Sequence, residues 1–233
     1  MAAVAAVAAV AAVSGLLIAV GGPAGAASPS QIAQAKQSLI VLSDLPQGWT
    51  APKSSGDSQA TGRTVPGAAQ LATCLGVAEK VIENIAPTES SPSFTSKSGQ
   101  QSAQDSVTLD ASASAAKASY ASLANAKTPG CLTTILNGVG KKTLSGSLQP
   151  GETMGAITVS ATAPAALAPH SAGFTIAVPI NYKSQVINSQ ITIIDTAKGH
   201  EESELTLTSV RSAFPAALSK HLAQLALQRL PAH

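Results

Sequence analysis

Residues 174–208 read FTIAVPINYKSQVINSQITIIDTAKGHEESELTLT. Phe174, Ile176, Val178 and Ile180 alternate with Thr175, Ala177 and Pro179. Ile187, Ile191 and Ile193 share one parity, and Asn188, Gln190 and Thr192 the other. Leu205 and Leu207 then alternate with Glu204, Thr206 and Thr208. Successive strand residues point to opposite faces, so this period of two describes three strands, each with a dry and a polar side. Upstream, Ile157 and Val159 alternate with Thr158 and Ser160, which adds a fourth. The links Asn181–Ser184 and Ala197–His200 are too short for a parallel crossover and require antiparallel hairpins. Pro179 offers no N–H to a ladder, so its strand needs a locally free edge or a bulge.

Toward the N-terminus the period changes to that of helices. Gln31–Leu42 has partial periodicity through Ile32, Leu39 and Ile40. Pro66 opens a longer helix whose Leu71, Cys74, Leu75, Ala78, Ile82 and Ile85 form one apolar face, ended by Pro87. Residues 90–108 read as a strand pair, turning at Gly99–Ser102, or as one long bent strand. Asp110 suits the N-cap of an Ala-rich helix over 111–126, broken at Pro129-Gly130. A short helix follows from Cys131 to Leu136, closed by Asn137-Gly138. Ser212 and Pro215 start a last helix with Leu218, Leu222, Leu225 and Leu230 on one stripe. The expected fold is α+β: an antiparallel sheet of about five strands packed against helices, with one disulfide and a closing C-terminal helix.

No charge occurs before Lys36, and an Ala/Val/Leu-rich run leads into Pro23-Ala24-Gly25-Ala26-Ala27-Ser28. This is the pattern of an export signal with a small-residue cleavage site, although it lacks a basic n-region. The reading is a signal peptide over 1–27 and a single secreted domain over 28–233. The alternative is an uncleaved anchor, since the run reaches the roughly 20 residues that cross a bilayer. No later apolar run does, so no membrane span is expected after cleavage.

In an oxidising compartment Cys74 and Cys131, the only two cysteines, form a disulfide candidate. Their loop of about 58 residues is worth about 4 kcal/mol in the chain-entropy picture. A metal or redox site fails on spacing, with no C-x-x-C and no neighbouring His. The 14 Lys+Arg against 12 Asp+Glu give a net charge of +2 without a basic stripe, and one Trp, two Tyr and three Phe offer few stacking platforms. Nucleic acid is therefore excluded as a partner.

Motifs for chemistry are thin. Ser114-Ala115-Ala116-Lys117 matches the S-x-x-K of penicillin-recognising enzymes, but its companion motifs are missing or out of order. His170, His200, His221 and His233 have no G-x-S-x-G to serve and no H-x-x-x-H spacing for zinc. Gly138-Val139-Gly140-Lys141-Lys142 lacks P-loop spacing. Glu201, Glu202 and Glu204 beside His200 read as a solvated strand entry, with Glu202 and Glu204 on the exposed face; a weak cation or basic-partner contact is the rival reading. No catalytic residue, metal ligand or cofactor is assigned.

Asp44-Leu45-Pro46-Gln47-Gly48-Trp49 after an export signal resembles the D-L-P-x-G-W signature of small secreted proteins and lipoproteins of actinobacteria. The order of elements is also similar: a Cys-bearing helix at Thr73-Cys74-Leu75-Gly76, an Ala-rich helix, a second Cys in Gly130-Cys131-Leu132, strands and a final helix. That group is related to the extracellular sensor domains of actinobacterial receptor Ser/Thr kinases, which tend to carry two disulfides where this chain has cysteines for one. The resemblance implies an α+β fold with a cleft beside the sheet and a ligand-sensing role, and it supplies no catalytic residues.

The functional expectation is a secreted, non-enzymatic, sensor-like domain of the cell envelope that binds a small ligand or envelope component. Its candidate groove lies around Trp49, Leu45 and Pro46, although a Trp in this position is more often simple core. The alternatives are a cell-envelope serine hydrolase using a Ser with His200 or His221, and a structural envelope protein acting through surface contacts.

Overall fold

The computed structural model describes residues 27–52, 67–82, 86–146, 148–162 and 171–231. The signal segment up to residue 26, the 53–66 loop, and His170 and His233 lie outside them. In chain order the helices are α1 (Pro29–Ser38), α2 (Ala68–Leu75), α3 (Glu79–Ile82), α4 (Ala113–Leu123), α5 (Thr128–Ile135), α6 (Lys141–Ser145) and α7 (Ala216–Arg229). The strands are β1 (Thr88–Ser90), β2 (Phe94–Thr95), β3 (Gln101–Leu109), β4 (Glu152–Met154), β5 (Thr158–Ala161), β6 (Ser171–Tyr182), β7 (Gln185–Lys198) and β8 (Glu201–Val210).

All eight strands form one antiparallel sheet of order β1-β3-β8-β7-β6-β4, with β2 also on β3 and β5 also on β6. The expected count of about five was low because β1, β2 and β4 have only two or three residues each, too few to show a period. The meander β6–β7–β8 is as read. Its two hairpin turns are only two residues long, Lys183-Ser184 and Gly199-His200, with Lys183 (φ +53) and Gly199 (φ +64) in the left-handed conformation tight hairpins need. Pro179 sits inside β6, opposite the gap between β4 and β5. On that side the chain asks only for its carbonyl, which accepts from Gly155 N at 2.7 Å.

The helices cover the two faces of the sheet on diagonally opposite halves. On one face α2, α5 and α6 close over β5, β6 and β7, burying Phe174, Ile176, Ile180, Ile191 and Ile193. On the other face α1 and α7 close over β3 and β8, burying Ala103, Val107, Leu205 and Leu207. The Cys74–Cys131 disulfide is formed, ties α2 to α5 and spans 57 positions of sequence.

Several helix boundaries differ from expectation for local reasons. The helix expected over 66–86 is interrupted at Gly76, whose φ of +72 ends α2 and separates it from α3; residues 83–85 lie outside the description. Ser112, not Asp110, caps α4, its Oγ accepting from Ala115 N at 3.2 Å. Pro129 does not break a helix but occupies the first turn of α5, where its missing N–H costs nothing. Asn137-Gly138 does not close that helix either. The chain continues through a π-turn over Leu136–Gly140 into α6. Asn137 holds the turn, donating to Ile157 O at 2.7 Å and accepting from Ile157 N at 3.0 Å. Pro215, not Ser212, precedes the first turn of α7.

Candidate functional site

The Asp44–Trp49 motif is built as a clasp. Asp44 accepts Val41 N at 2.7 Å and both Arg229 guanidinium nitrogens at 2.6 and 2.8 Å. Arg229 also donates to Leu39 O at 2.9 Å, so one side chain ties the end of α7 to the start of the chain. Partial burial pushes the Asp44 carboxyl up, but the Arg229 hydrogen bonds and charge outweigh it and hold the group below its ordinary value. Gly48, at φ +93, turns the chain so that Trp49 points inward. Leu45 and Trp49 are 8% and 9% exposed and pack with Phe94, Leu207 and Leu222, and the Trp49 ring lies 6.2 Å from Phe214. Of the three residues expected around a groove, Leu45 and Trp49 are therefore core; only Pro46 is exposed.

The opposite face carries a different constellation, under α4. That helix is Ala- and Ser-rich, and the side it buries is Ala116, Ser119, Ser122 and Leu123. Its seating on the sheet is partly polar. Ser119 Oγ donates to Glu202 Oε2 at 2.9 Å, the Tyr120 backbone also hydrogen-bonds that carboxyl, and Tyr120 Oη donates to Ser171 O at 3.0 Å. Glu202 lies opposite Ala197 in the β7–β8 ladder, and two residues along Glu204 lies opposite Asp195. Alternation places Asp195, Glu202 and Glu204 on one face. Glu202 and Glu204 are half-buried; Asp195 is 7% exposed and its Oδ2 has no hydrogen-bond partner.

Like charges directly opposite one another on a sheet are unfavourable. Burial pushes Glu202 up to about 9, with Asp110 and then Asp195 adding to the rise against the Ser119 and Tyr120 hydrogen bonds. Burial raises Glu204 well above its ordinary value, with Asp195 adding to it. Burial raises Asp195 as well. At about 9, Glu202 favours its protonated form at neutral pH, and burial favours the neutral form of Glu204 and Asp195 as well. This corrects the expectation that Glu202 and Glu204 stand in solvent.

Beside α4 a cavity of about 230 Å³ is lined by Ala113, Lys117, Tyr120, Ala197 and Gly199. Its floor, Ala197, is the cross-strand neighbour of Glu202. Small residues at 113, 197 and 199 leave the space, and the Tyr120 hydroxyl bond to Ser171 fixes one wall.

Among the described residues, the candidate nucleophile and bases lie on separate elements. Ser114 is exposed and shares a hydrogen bond with Ser112 at 2.9 Å. His200 sits in the β7–β8 turn, while His221 is exposed on α7, which packs on the other face of the sheet. Lys141 and Lys142 lie in α6 after the π-turn. Among the described residues no group of three or more His, Cys, Asp or Glu is disposed to hold a metal ion, and no helix is long and apolar enough to cross a membrane.

No family model matches the chain, and no curated protein matches it. Among solved structures, it is similar to the extracellular domain of PknH from Mycobacterium tuberculosis, at 6% identity and a TM-score of 0.37 over 62% of this chain. The matched part spans 63% of that domain. A likeness this loose carries no functional argument, so the site is read from its own geometry.

Proposed function

We propose that this chain is an extracytoplasmic, non-catalytic binding domain whose ligand occupies the cavity between α4 and the β7–β8 hairpin. The observation that carries the reading is the cavity itself, with three small residues for a floor and shoulder, an anchored Tyr ring and one cation. Sites of this kind combine apolar walls with few polar groups. At about 230 Å³ the space is below the roughly 300–1,000 Å³ of drug-sized sites, so the ligand is small. Tyr120 suits an apolar body and Lys117 suits a carboxylate or another acceptor on it. The Cys74–Cys131 disulfide supports an oxidising, extracytoplasmic setting, since such bonds are rare where thiols are kept reduced.

The test is a titration of the secreted protein with small monocarboxylates from acetate to benzoate, followed by amide chemical shifts. The expected result is saturable shifts at 113–120 and 197–199, abolished in Ala197→Phe, which fills the floor while the near-UV spectrum of the fold is retained. Shifts centred instead on 45–49, or undiminished binding by Ala197→Phe, would refute the assignment.

A further inference from the structure

Helix α4 brings few large apolar side chains to the sheet. Leu123 is its only large aliphatic side chain fully buried, beside Ala116, Ser119 and Ser122. Beyond these and the Tyr120 ring, which packs against the core, the seating is polar, and it terminates on a carboxyl group that faces other carboxyl groups. From β7, Asp195 faces Glu204 in register; from β8, Glu202 lies two positions along; Asp110 reaches Glu202 from the segment entering α4. The Asp195 side chain is more than nine-tenths buried in this cluster, with an oxygen that bonds to nothing. Other charged groups near the helix, among the described side chains, include Lys117 on its cavity side, His200 in the β7–β8 turn, Glu79 on α3, and, on the opposite face of the sheet, Glu201, Asp105 and Lys198, whose Nζ donates to Leu230 O at 2.6 Å. The largest charge effects on Glu202 and Glu204 come from acids: Asp110 and Asp195 on the first, and Asp195, Asp105 and Glu202 on the second.

We infer that Asp195, Glu202 and Glu204 form a proton-operated latch that holds α4 against β7 and β8, closing the cavity wall in acid and releasing it as the medium becomes alkaline. With protons bound, the three groups are neutral and the Ser119–Glu202 bond seats the helix. Removing protons places like charges on adjacent positions of one ladder beneath the helix. The repulsion is relieved when α4 lifts and water reaches the carboxylates. Lifting α4 carries Ala113, Lys117 and Tyr120 away from Ala197 and Gly199, so the cavity opens. The consequence for ligand binding rests on the function proposed above; the latch itself does not.

Hydrogen exchange of the full secreted protein without ligand tests the latch separately from the binding reading. Protection of 113–123, corrected for the intrinsic pH dependence of exchange, should fall at least tenfold between pH 5.5 and pH 8. Protection of 216–229, on the other face, should stay within threefold. Glu202→Gln, which keeps an acceptor for Ser119, should hold 113–123 protected at pH 8. Asp195→Asn replaces it in the comparison if the first variant does not fold. Parallel loss in both helices, no loss in the wild type, or an unchanged pH response in the amide variant would each overturn the latch. A working latch with no carboxylate binding would overturn only the proposed ligand site.

Discussion

Replacing Glu202 by Gln should remove a large part of the pH dependence of stability. Glu202 titrates at an ordinary 4.5 when unfolded and at about 9 when folded, chiefly because it is buried and then because Asp110 and Asp195 are near. Below pH 4.5 both states hold the proton and the group contributes no slope. Between 4.5 and 9 the native state holds one more proton than the unfolded state, so stability falls as pH rises, by about 1.4 kcal/mol per unit. From pH 5 to 7.5 this amounts to about 3 kcal/mol, reduced toward about 2 kcal/mol for the residual water contact of a half-buried side chain. Glutamine preserves the bond from Ser119 and has no proton to lose. Urea unfolding followed by the fluorescence of Trp49, the single tryptophan and a core residue, reads this directly. With a slope of about 2 kcal/mol/M, the wild-type midpoint should drop by at least about 1 M more than the variant midpoint over that range. Equal drops in the two proteins would mean that Glu202 is ionised and solvated in the native state, and the burial argument would collapse.

Other perturbations probe the frame around the site. Replacing both Cys74 and Cys131 by Ala should cost about 4 kcal/mol, from the 57-position separation the bond constrains, measured by urea unfolding against the oxidised wild type. Arg229→Ala should cost about 2–3 kcal/mol, because it strands Asp44 and frees Leu39 O, and Arg229→Lys should recover only part, lacking the two-pronged contact. Trp49→Ala should cost about 3–5 kcal/mol while leaving binding in the cavity unchanged where the variant stays folded, which thermal unfolding and the monocarboxylate titration check together. Gly155→Ala should cost about 1–3 kcal/mol, since its Cβ would lie 2.8 Å from Pro179 Cγ, and the loss should show in the unfolding midpoint.

Much of the frame is visible in residues whose signal is local. The β6–β8 meander follows from alternation and short links, and Pro179 correctly demands a locally free edge. The clasp is partly visible too: Leu45-Pro46-Gln47-Gly48-Trp49 announces a turn with an aromatic anchor. Its partner Arg229 lies 185 positions away from Asp44, and no pattern near either residue points to the other. Helix boundaries slipped where one residue competes with a neighbour of similar chemistry. Ser112 took the cap that Asp110 also suits, because Asp110 is instead buried beside the β7–β8 turn, its backbone N donating to His200 O at 2.8 Å.

The acidic cluster was hidden for a more instructive reason. Within each strand the dry parity is plain: Ile191 and Ile193 on β7, Leu205 and Leu207 on β8. Assuming that both dry sides meet one core leaves Glu202 and Glu204 in water. The register says otherwise, because Ile193 stands opposite Thr206, and Asp195 opposite Glu204. The dry sides of β7 and β8 thus face opposite cores, and the sheet changes its buried face between these two neighbouring strands. A link of four residues, Ala197–His200, leaves that register open; a two-residue turn at Gly199-His200 fixes it, pairing Lys198 with Glu201. One further signal lay in the sequence unassisted: Asp195 continues the parity of Ile187, Ile191 and Ile193, an acid in an apolar row. An acid in such a row is either an error of register or a buried carboxyl, and the pairing of Asp195 with Glu204 decides for the second, with burial pushing its pKa up.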